Sequence, residues 1–322
     1  MGERQLLSIE GLSVRVENGN ENDFNILKDV SFAIPERGVV GLLGESGSGK
    51  SIMSKEILGL NTAPVKKTAG GIIFKGKELL SPKDHADIRG KGVSMIFQHP
   101  ASALNPVFTI GHQLIETIRL HNPELSKKEV GQRAIELLAQ TGINYPEERI
   151  NAYPHQFSGG MNQRVMIAMA LATEPELIIA DEPTTALDVI TQEQIIRLLL
   201  ALGDKKNFAI LFITHDLSLM QKVADTVIVL YAGEIMEIIS SQALRNGHIK
   251  HPCTDALMRS VPKMYGEKDA LYSIPGQTAK NTTRYDKSCI FHERCPKSKE
   301  KCATEKPLLK DCVKCFYPKG SE

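Results

Sequence analysis

The chain has 322 residues, more than one small domain needs and enough for a large core with an appendage. Hydrophobic residues make up 42% and charged residues 24%, the balance of a soluble globular protein, and no apolar run approaches the ~20 residues that span a bilayer. The 39 basic residues are offset by 38 acidic ones, so a net charge of +1 leaves no electrostatic footprint for nucleic acid. The first residues, Met1 to Leu6, carry no apolar signal core, so any membrane role is expected to run through partner proteins.

Residues 5–16 alternate apolar and polar, as an edge strand does. Asn18 to Asp23 is polar and glycine-containing, a loop or hairpin tip, and Ile26 to Ile34 returns to strand character. An aromatic here could stack on a nucleotide base. Phe24, the sole aromatic before Asp29, is either that platform or an ordinary half-buried side chain.

The apolar run Gly38 to Leu43 leads into Gly44-Glu45-Ser46-Gly47-Ser48-Gly49-Lys50-Ser51, and a helix-competent run, Ile52 to Leu60, follows. G-x-x-x-x-G-K-S between a strand and a helix is the phosphate-binding loop pattern in its required context. The glycines let backbone N–H groups approach phosphate oxygens, and the helix start adds its positive dipole end. Lys50 is expected on the β- and γ-phosphates and the Ser51 hydroxyl on Mg²⁺.

Residues 72–80 suggest strand, turn and strand, and Val93 to Phe97 a short buried strand ending at Gln98. Pro100 to Phe157 has helical periodicity in Ile110–Leu120 and Lys127–Thr141, the second opened by the capping box Ser126-Lys127-Lys128-Glu129. This stretch, about 100–160, reads as a helical subdomain. Ser158-Gly159-Gly160 opens another helix through Ala172 and makes a second anion site, a weak signal by itself.

Leu177-Ile178-Ile179-Ala180-Asp181-Glu182 is an apolar strand ending in two acids. With a phosphate loop upstream, Asp181 is the expected Mg²⁺ partner, and Glu182, one step on, can polarise an attacking water. Ala209 to Thr214 is another buried strand, and His215 at its end could touch the γ-phosphate. Thr226 to Tyr231 and Glu234 to Ile239 flank Ala232-Gly233 as a hairpin. Strands alternating with helices argue an α/β core with ligands at the strand carboxyl ends.

The core is expected over residues 1–240, with 241–322 a small C-terminal domain held by local contacts and metal. Five of six cysteines fall between Cys289 and Cys315, and without a secretory signal such crowding suggests metal before disulfide. Cys289, Cys295, Cys302 and Cys315 are spaced C-x5-C-x6-C-x12-C, a set of soft ligands for zinc or an iron–sulfur cluster. Only Cys312 and Cys315 show the C-x2-C spacing usual at zinc sites.

Taken in order, the phosphate loop, Gln98, Ser158 to Gln163, Asp181-Glu182, Ala186-Leu187-Asp188 and His215 resemble an ABC transporter ATP-binding subunit over about residues 5–262. The resemblance implies a P-loop NTPase with an ABC-type nucleotide-binding domain, an antiparallel β subdomain and a helical subdomain, plus the small Cys-rich C-terminal domain. It implies ATP and Mg²⁺ as ligands. Ser158, Gly159 and Gly160 become the signature motif that completes the opposite subunit's site, Gln98 the glutamine sensing Mg²⁺ and water, and Asp188 part of the loop crossing the dimer interface. Glu182 becomes the general base.

Finer features are similar to the oligopeptide/dipeptide and nickel importer branch. They are Gln98-His99-Pro100-Ala101-Ser102-Ala103-Leu104-Asn105-Pro106, His251-Pro252-Cys253-Thr254-Asp255-Ala256-Leu257 and Ser273-Ile274-Pro275-Gly276-Gln277. His99, Asn162 and Cys253 stand where that branch commonly has Asp, Arg and Tyr. The branch implies import of di- or oligopeptides, with nickel or another small solute as the alternative. It implies a peripheral protein on the cytoplasmic face of the cell membrane, paired with a paralogous ATPase or itself, two transmembrane permease subunits and an extracellular solute-binding protein. It also implies a [4Fe–4S] cluster on Cys289, Cys295, Cys302 and Cys315, with Cys312 spare. A soluble ABC ATPase acting on DNA or the ribosome is the rival, and such proteins usually carry a coiled-coil insert or two cassettes, whereas this chain has one cassette.

Overall fold

The computed structural model describes residues 4–17, 23–261, 272–279 and 287–320. Most of the hairpin tip expected before Asp23 lies outside them. The chain divides into two compact units, one of residues 1–35, 39–82 and 214–322, the other of residues 36–38 and 83–213.

In the first unit, β1 (Gln5–Val16) pairs antiparallel with β2 (Phe24–Pro35) and with β4 (Val65–Phe74), which turns into β5 (Lys77–Glu78). The inward set of β1 changes phase from Leu7 and Ile9 to Leu12 and Val14, all buried, across a register shift at Gly11. An extra residue there keeps both apolar halves on the core side. β4 starts seven residues before the expected strand because Val65–Gly71 is rich in lysine and glycine and mostly exposed, so it shows no apolar alternation.

β3 (Val39–Leu43), buried at every position, runs parallel to β9 (Thr226–Tyr231), which forms an antiparallel hairpin with β10 (Glu234–Ser240). Ala232 and Gly233 at the hairpin turn have φ of 46° and 85°, the positive pair that suits a tight two-residue connection. The unit's helices are α1 (Lys50–Ile57), α9 (Leu217–Val223), α10 (Ser241–Arg245), α11 (Pro252–Arg259) and α12 (Glu300–Thr304).

The C-terminal region does not form the separate Cys-rich domain expected of it. Ile290 and Phe291 enter a core with Tyr231 and Met236 of the hairpin and Cys253 and Ala256 of α11. Ile238 N–H donates to Cys312 O and Lys314 N–H to Met236 O, each at 2.8 Å. Buried Glu234 binds Lys306 at 2.6 Å and Lys314 at 2.8 Å. A segment with this few apolar residues cannot bury a core alone, so it completes one begun by the hairpin.

In the second unit, β6 (Val93–Ile96), β7 (Leu177–Asp181) and β8 (Ala209–Thr214) are parallel with β7 central. Every residue of β7 and β8 is buried, which is why both read as unbroken apolar runs. α2 (Pro82–Ile88) precedes β6, and between β6 and β7 the chain is helical: α3 (Pro100–Ala103), α4 (Ile110–His121), α5 (Lys127–Gln140), α6 (Pro146–Arg149) and α7 (Gly159–Leu171). α4 buries Ile110, Leu114 and Ile118, and α5 buries Val130, Ala134, Leu137 and Leu138, spacings of three and four that define one helical face. The capping box of α5 is formed, with Ser126 N–H donating to Glu129 at 2.8 Å and Glu129 N–H to Ser126 Oγ at 3.3 Å. α8 (Val189–Lys206) escaped the sequence reading because Val189 and Ile190, 80% and 71% exposed, break the apolar stripe at its start. No helix among the described residues is long and apolar enough to cross a membrane.

Candidate functional site

The phosphate-loop residues sit between β3 and α1. A Cβ on Gly44 would lie 2.3 Å from Leu230 O and 2.6 Å from Ser48 Oγ, so only glycine lets the loop pass β9 this closely. Gly49 has φ +103° and a Cβ there would meet Leu27 Cδ2 at 2.7 Å. It begins α1 with no side-chain cap, leaving the first N–H groups of the helix without the usual hydroxyl or carboxylate acceptor. Lys50 is 6% exposed, and its Nζ donates to Gly44 O at 2.8 Å and Glu45 O at 2.9 Å. Ser51 is exposed in the first turn, and Ser48 is buried with no hydrogen-bond partner for its hydroxyl among the described residues. Uncapped amides, a lysine curled over the loop and an orphaned hydroxyl fit a bound polyphosphate.

Ser46 and Gly47 complete the loop's exposed rim. Glu45 is half-buried and paired with the C-terminal region. Its carboxylate takes both Nη atoms of Arg294, at 2.8 and 3.2 Å, and the Thr278 hydroxyl at 2.5 Å. Burial pushes the Glu45 carboxyl up, but the Arg294 and Thr278 hydrogen bonds with the Arg294 and Lys50 charges outweigh it and hold it below the usual range. Phe24 is half-buried at the start of β2 opposite Val16, three positions before the Leu27 that packs on Gly49. His215 is exposed immediately after β8, where Asp216 caps α9 by accepting from Leu219 N–H at 3.1 Å.

The second unit brings together Gln98, Glu182 and Thr185. Gln98 Nε2 donates to Glu182 Oε2 at 2.8 Å, and Thr185 Oγ1 donates to the same oxygen at 3.0 Å. Glu182 follows β7 with φ +46°, a conformation a glutamate rarely adopts, and its N–H donates to Ile213 O at 2.9 Å. The neighbouring strand thus holds the carboxylate at the sheet's carboxyl edge. Asp181, the last residue of β7, is 5% exposed. Ser158 caps α7, accepting from Met161 N–H at 3.3 Å, and Ser158 and Gly159 are exposed. Gly160 lies against Thr191 of α8, and Asp188 caps α8 by accepting from Ile190 and Thr191 N–H.

All six cysteines are free, and among the described residues no group of three or more His, Cys, Asp or Glu is drawn closely enough to hold a metal ion. Cys289, Cys295, Cys302 and Cys315 do line one small cavity, shared with His251, Phe291 and Lys297. Cys289 N–H donates to Cys302 O at 2.9 Å, which splices two of the four together at the backbone. Burial pushes the Cys289 thiol up to about 12 and raises Cys295 and Cys315.

A glycine-rich phosphate loop joining strand to helix, with an acid pair closing a parallel strand, defines a nucleotide-hydrolysing P-loop protein. The ABC transporter family model matches residues 27–185, and that of the oligopeptide/dipeptide transporter C-terminal region matches residues 236–302. The chain is 43% identical to the dipeptide transport ATP-binding protein DppD of Escherichia coli (strain K12), over 97% of each chain. It is 46% identical to the oligopeptide transport ATP-binding protein AppD of Bacillus subtilis (strain 168), covering 87% of this chain and 85% of that one. The solved ATP-binding cassette MJ0796, a dimer in a post-hydrolysis state bound to ADP and Pi, superposes with a TM-score of 0.64 at 30% identity, over 73% of this chain and 98% of that one. The chain belongs to the ABC transporter family as an ATP-binding, ATP-hydrolysing subunit with the oligopeptide/dipeptide transporter C-terminal region.

Sequence reasoning missed Thr185, Thr278 and Arg294. Thr185 follows the acid pair by three residues and could have been found as a turn hydroxyl near a strained carboxylate. Arg294 is 249 residues from Glu45, and nothing local signals that pairing.

Proposed function

We propose that this chain powers uptake of di- and oligopeptides as one ATPase of an importer. The end-to-end 43% identity to a dipeptide transport ATP-binding protein, running through both the cassette and the C-terminal region, carries the reading. Lys50 and the loop amides of residues 44–51 hold the β- and γ-phosphates, and His215 contacts the γ-phosphate. Ser51, Asp181 and Gln98 would hold Mg²⁺, which neutralises phosphate charge when bound. Glu182 takes the proton of the attacking water, and the Gln98 and Thr185 donors fix its orientation. Phe24 stacks on the base. Ser158, Gly159 and Gly160 complete the site of a second ATPase, paralogous or identical, so the working unit is a dimer.

Residues 1–240 form the ATPase domain, with the helices of about 100–160 passing motion to two membrane permease subunits, and 241–322 the transporter-specific region. The protein works peripherally at the cytoplasmic face of the membrane, in a system that includes an extracellular solute-binding protein. Cys289, Cys295, Cys302 and Cys315 would hold a [4Fe–4S] cluster, with zinc as the alternative; the shared cavity and four soft donors support that set. The cluster would brace a region that lacks apolar residues enough to fix itself. The test is ATP-driven uptake of labelled dipeptides into vesicles carrying the reconstituted complex. Uptake that saturates with peptide and vanishes with Lys50→Ala is expected; ATP turnover unaffected by permease subunits and no peptide uptake would refute the reading.

A further inference from the structure

The phosphate loop carries a carboxylate of its own. Glu45 stands one residue into the loop, where an uncompensated negative charge repels a polyphosphate. The fold answers it from far along the chain. Arg294 grips both Glu45 oxygens in a forked pair, with side chains 8% and 24% exposed, so solvent screens the contact weakly. The guanidinium is itself fixed. Nε donates to Pro275 O at 2.9 Å, Nη1 also reaches the Tyr231 hydroxyl at 3.3 Å, and the group lies over the Tyr231 ring at 5.6 Å. Tyr231 packs edge-on against Phe291 at 5.1 Å, and its hydroxyl accepts Ala279 N–H at 3.2 Å. Two stretches of the C-terminal region, 274–279 and 291–295, thus converge on one loop side chain.

We infer that Arg294 is a positioning residue for ATP binding: it neutralises Glu45 and holds its side chain away from the phosphates, so that the loop presents only donors to the nucleotide. Arg294 touches no substrate and acts through Glu45 alone. The inference rests on residues 44–51 binding ATP, so wild-type binding is measured first; its absence would refute that reading and leave the ion pair unjudged.

The test is ATP competition against a fluorescent ATP analogue on the full-length chain, with Arg294→Gln, Glu45→Gln and the double variant. Arg294→Gln is expected to weaken ATP about tenfold, the scale of one water-screened charge a few ångströms away. Glu45→Gln is expected to bind as well as wild type or better, because the carboxylate is repulsive to phosphate. The double variant is expected to recover to the Glu45→Gln level. A purely structural role for Arg294 predicts no recovery. Unchanged binding in Arg294→Gln, or a double variant as weak as Arg294→Gln, overturns the inference. If Arg294→Gln does not fold, Arg294→Lys in the Glu45→Gln background replaces it. That pair is expected to match Glu45→Gln alone, and a difference above about threefold overturns the inference.

Discussion

Replacing Glu182 with Gln separates catalysis from architecture at one atom. Glu182 Oε2 accepts from Gln98 at 2.8 Å and Thr185 at 3.0 Å, and the backbone N–H reaches Ile213 O. A glutamine side chain has the same shape and its amide oxygen can accept from both donors. The backbone bond and the φ of +46° are unaffected. The folding cost is therefore within about 1 kcal/mol, the net value of one ordinary hydrogen bond. On the proposed reading, catalysis loses its base. A positioned general base contributes roughly 10²–10⁴ in rate, about 2.7–5.4 kcal/mol of barrier at 1.36 kcal/mol per tenfold. ATP affinity, assigned in the proposed function to Lys50 and the loop amides, is expected within about twofold of wild type because no loop contact changes. The assay is phosphate release by the complex reconstituted with its permease subunits and with the partner ATPase's own site inactivated, alongside nucleotide binding. Turnover within about threefold of wild type would refute the base assignment. Loss of binding together with turnover would show that Glu182 holds the site's shape and is not its base.

Three further outcomes follow from other parts of the structure. Ser158, exposed at the cap of α7, is expected to cross-link as Ser158→Cys to a cysteine placed in the partner ATPase's phosphate loop when ATP is bound, and no cross-link in a hydrolysing complex would refute the dimer reading. Glu234→Gln strips the buried counter-charge from Lys306 and Lys314 and is expected to destabilise by about 3 kcal/mol in urea unfolding, with faster proteolysis of residues 306–320; a loss under 1 kcal/mol would show the triad contributes little. Anaerobically purified protein is expected to be brown with about four irons per chain, and chelation should make Cys302 titratable by a thiol reagent; one zinc without iron would replace the cluster assignment, and neither metal would remove it.

What could be read from the chain divides by the range of the constraint. The phosphate loop is legible because strand, turn and helix start occupy consecutive residues, and each glycine answers a local demand, such as φ +103° at Gly49. β7 and β8 are legible because burial on both faces leaves an unbroken apolar run. α4 and α5 are legible because each buries one face and keeps it for three turns. α8 was missed because its first turn exposes Val189 and Ile190, so the apolar period that marks a helix starts a turn late. The first half of β4 was missed for a different reason: Val65–Gly71 is mostly exposed and dominated by lysine, threonine and glycine, so its pairing with β1 leaves no apolar alternation to read.

The C-terminal region shows where local reading stops. Proline and lysine content and clustered cysteines describe a chain that cannot bury much, and from that alone a metal-held appendage is the natural expectation. Burial and charge tie it to the hairpin as well. Ile290 and Phe291 find their apolar partners on the β9–β10 hairpin, and Glu234, 0% exposed, is ion-paired with the lysines that the tail supplies. Each side therefore lacks something the other provides: the hairpin lacks cations, the tail lacks a core. The same logic joins Glu45 to Arg294. A carboxylate in a loop built for anions is a local contradiction, and a contradiction of that kind signals a partner elsewhere in the chain. Sequence can show that Glu45 needs a cation; only the fold shows that the cation is the residue beside Cys295.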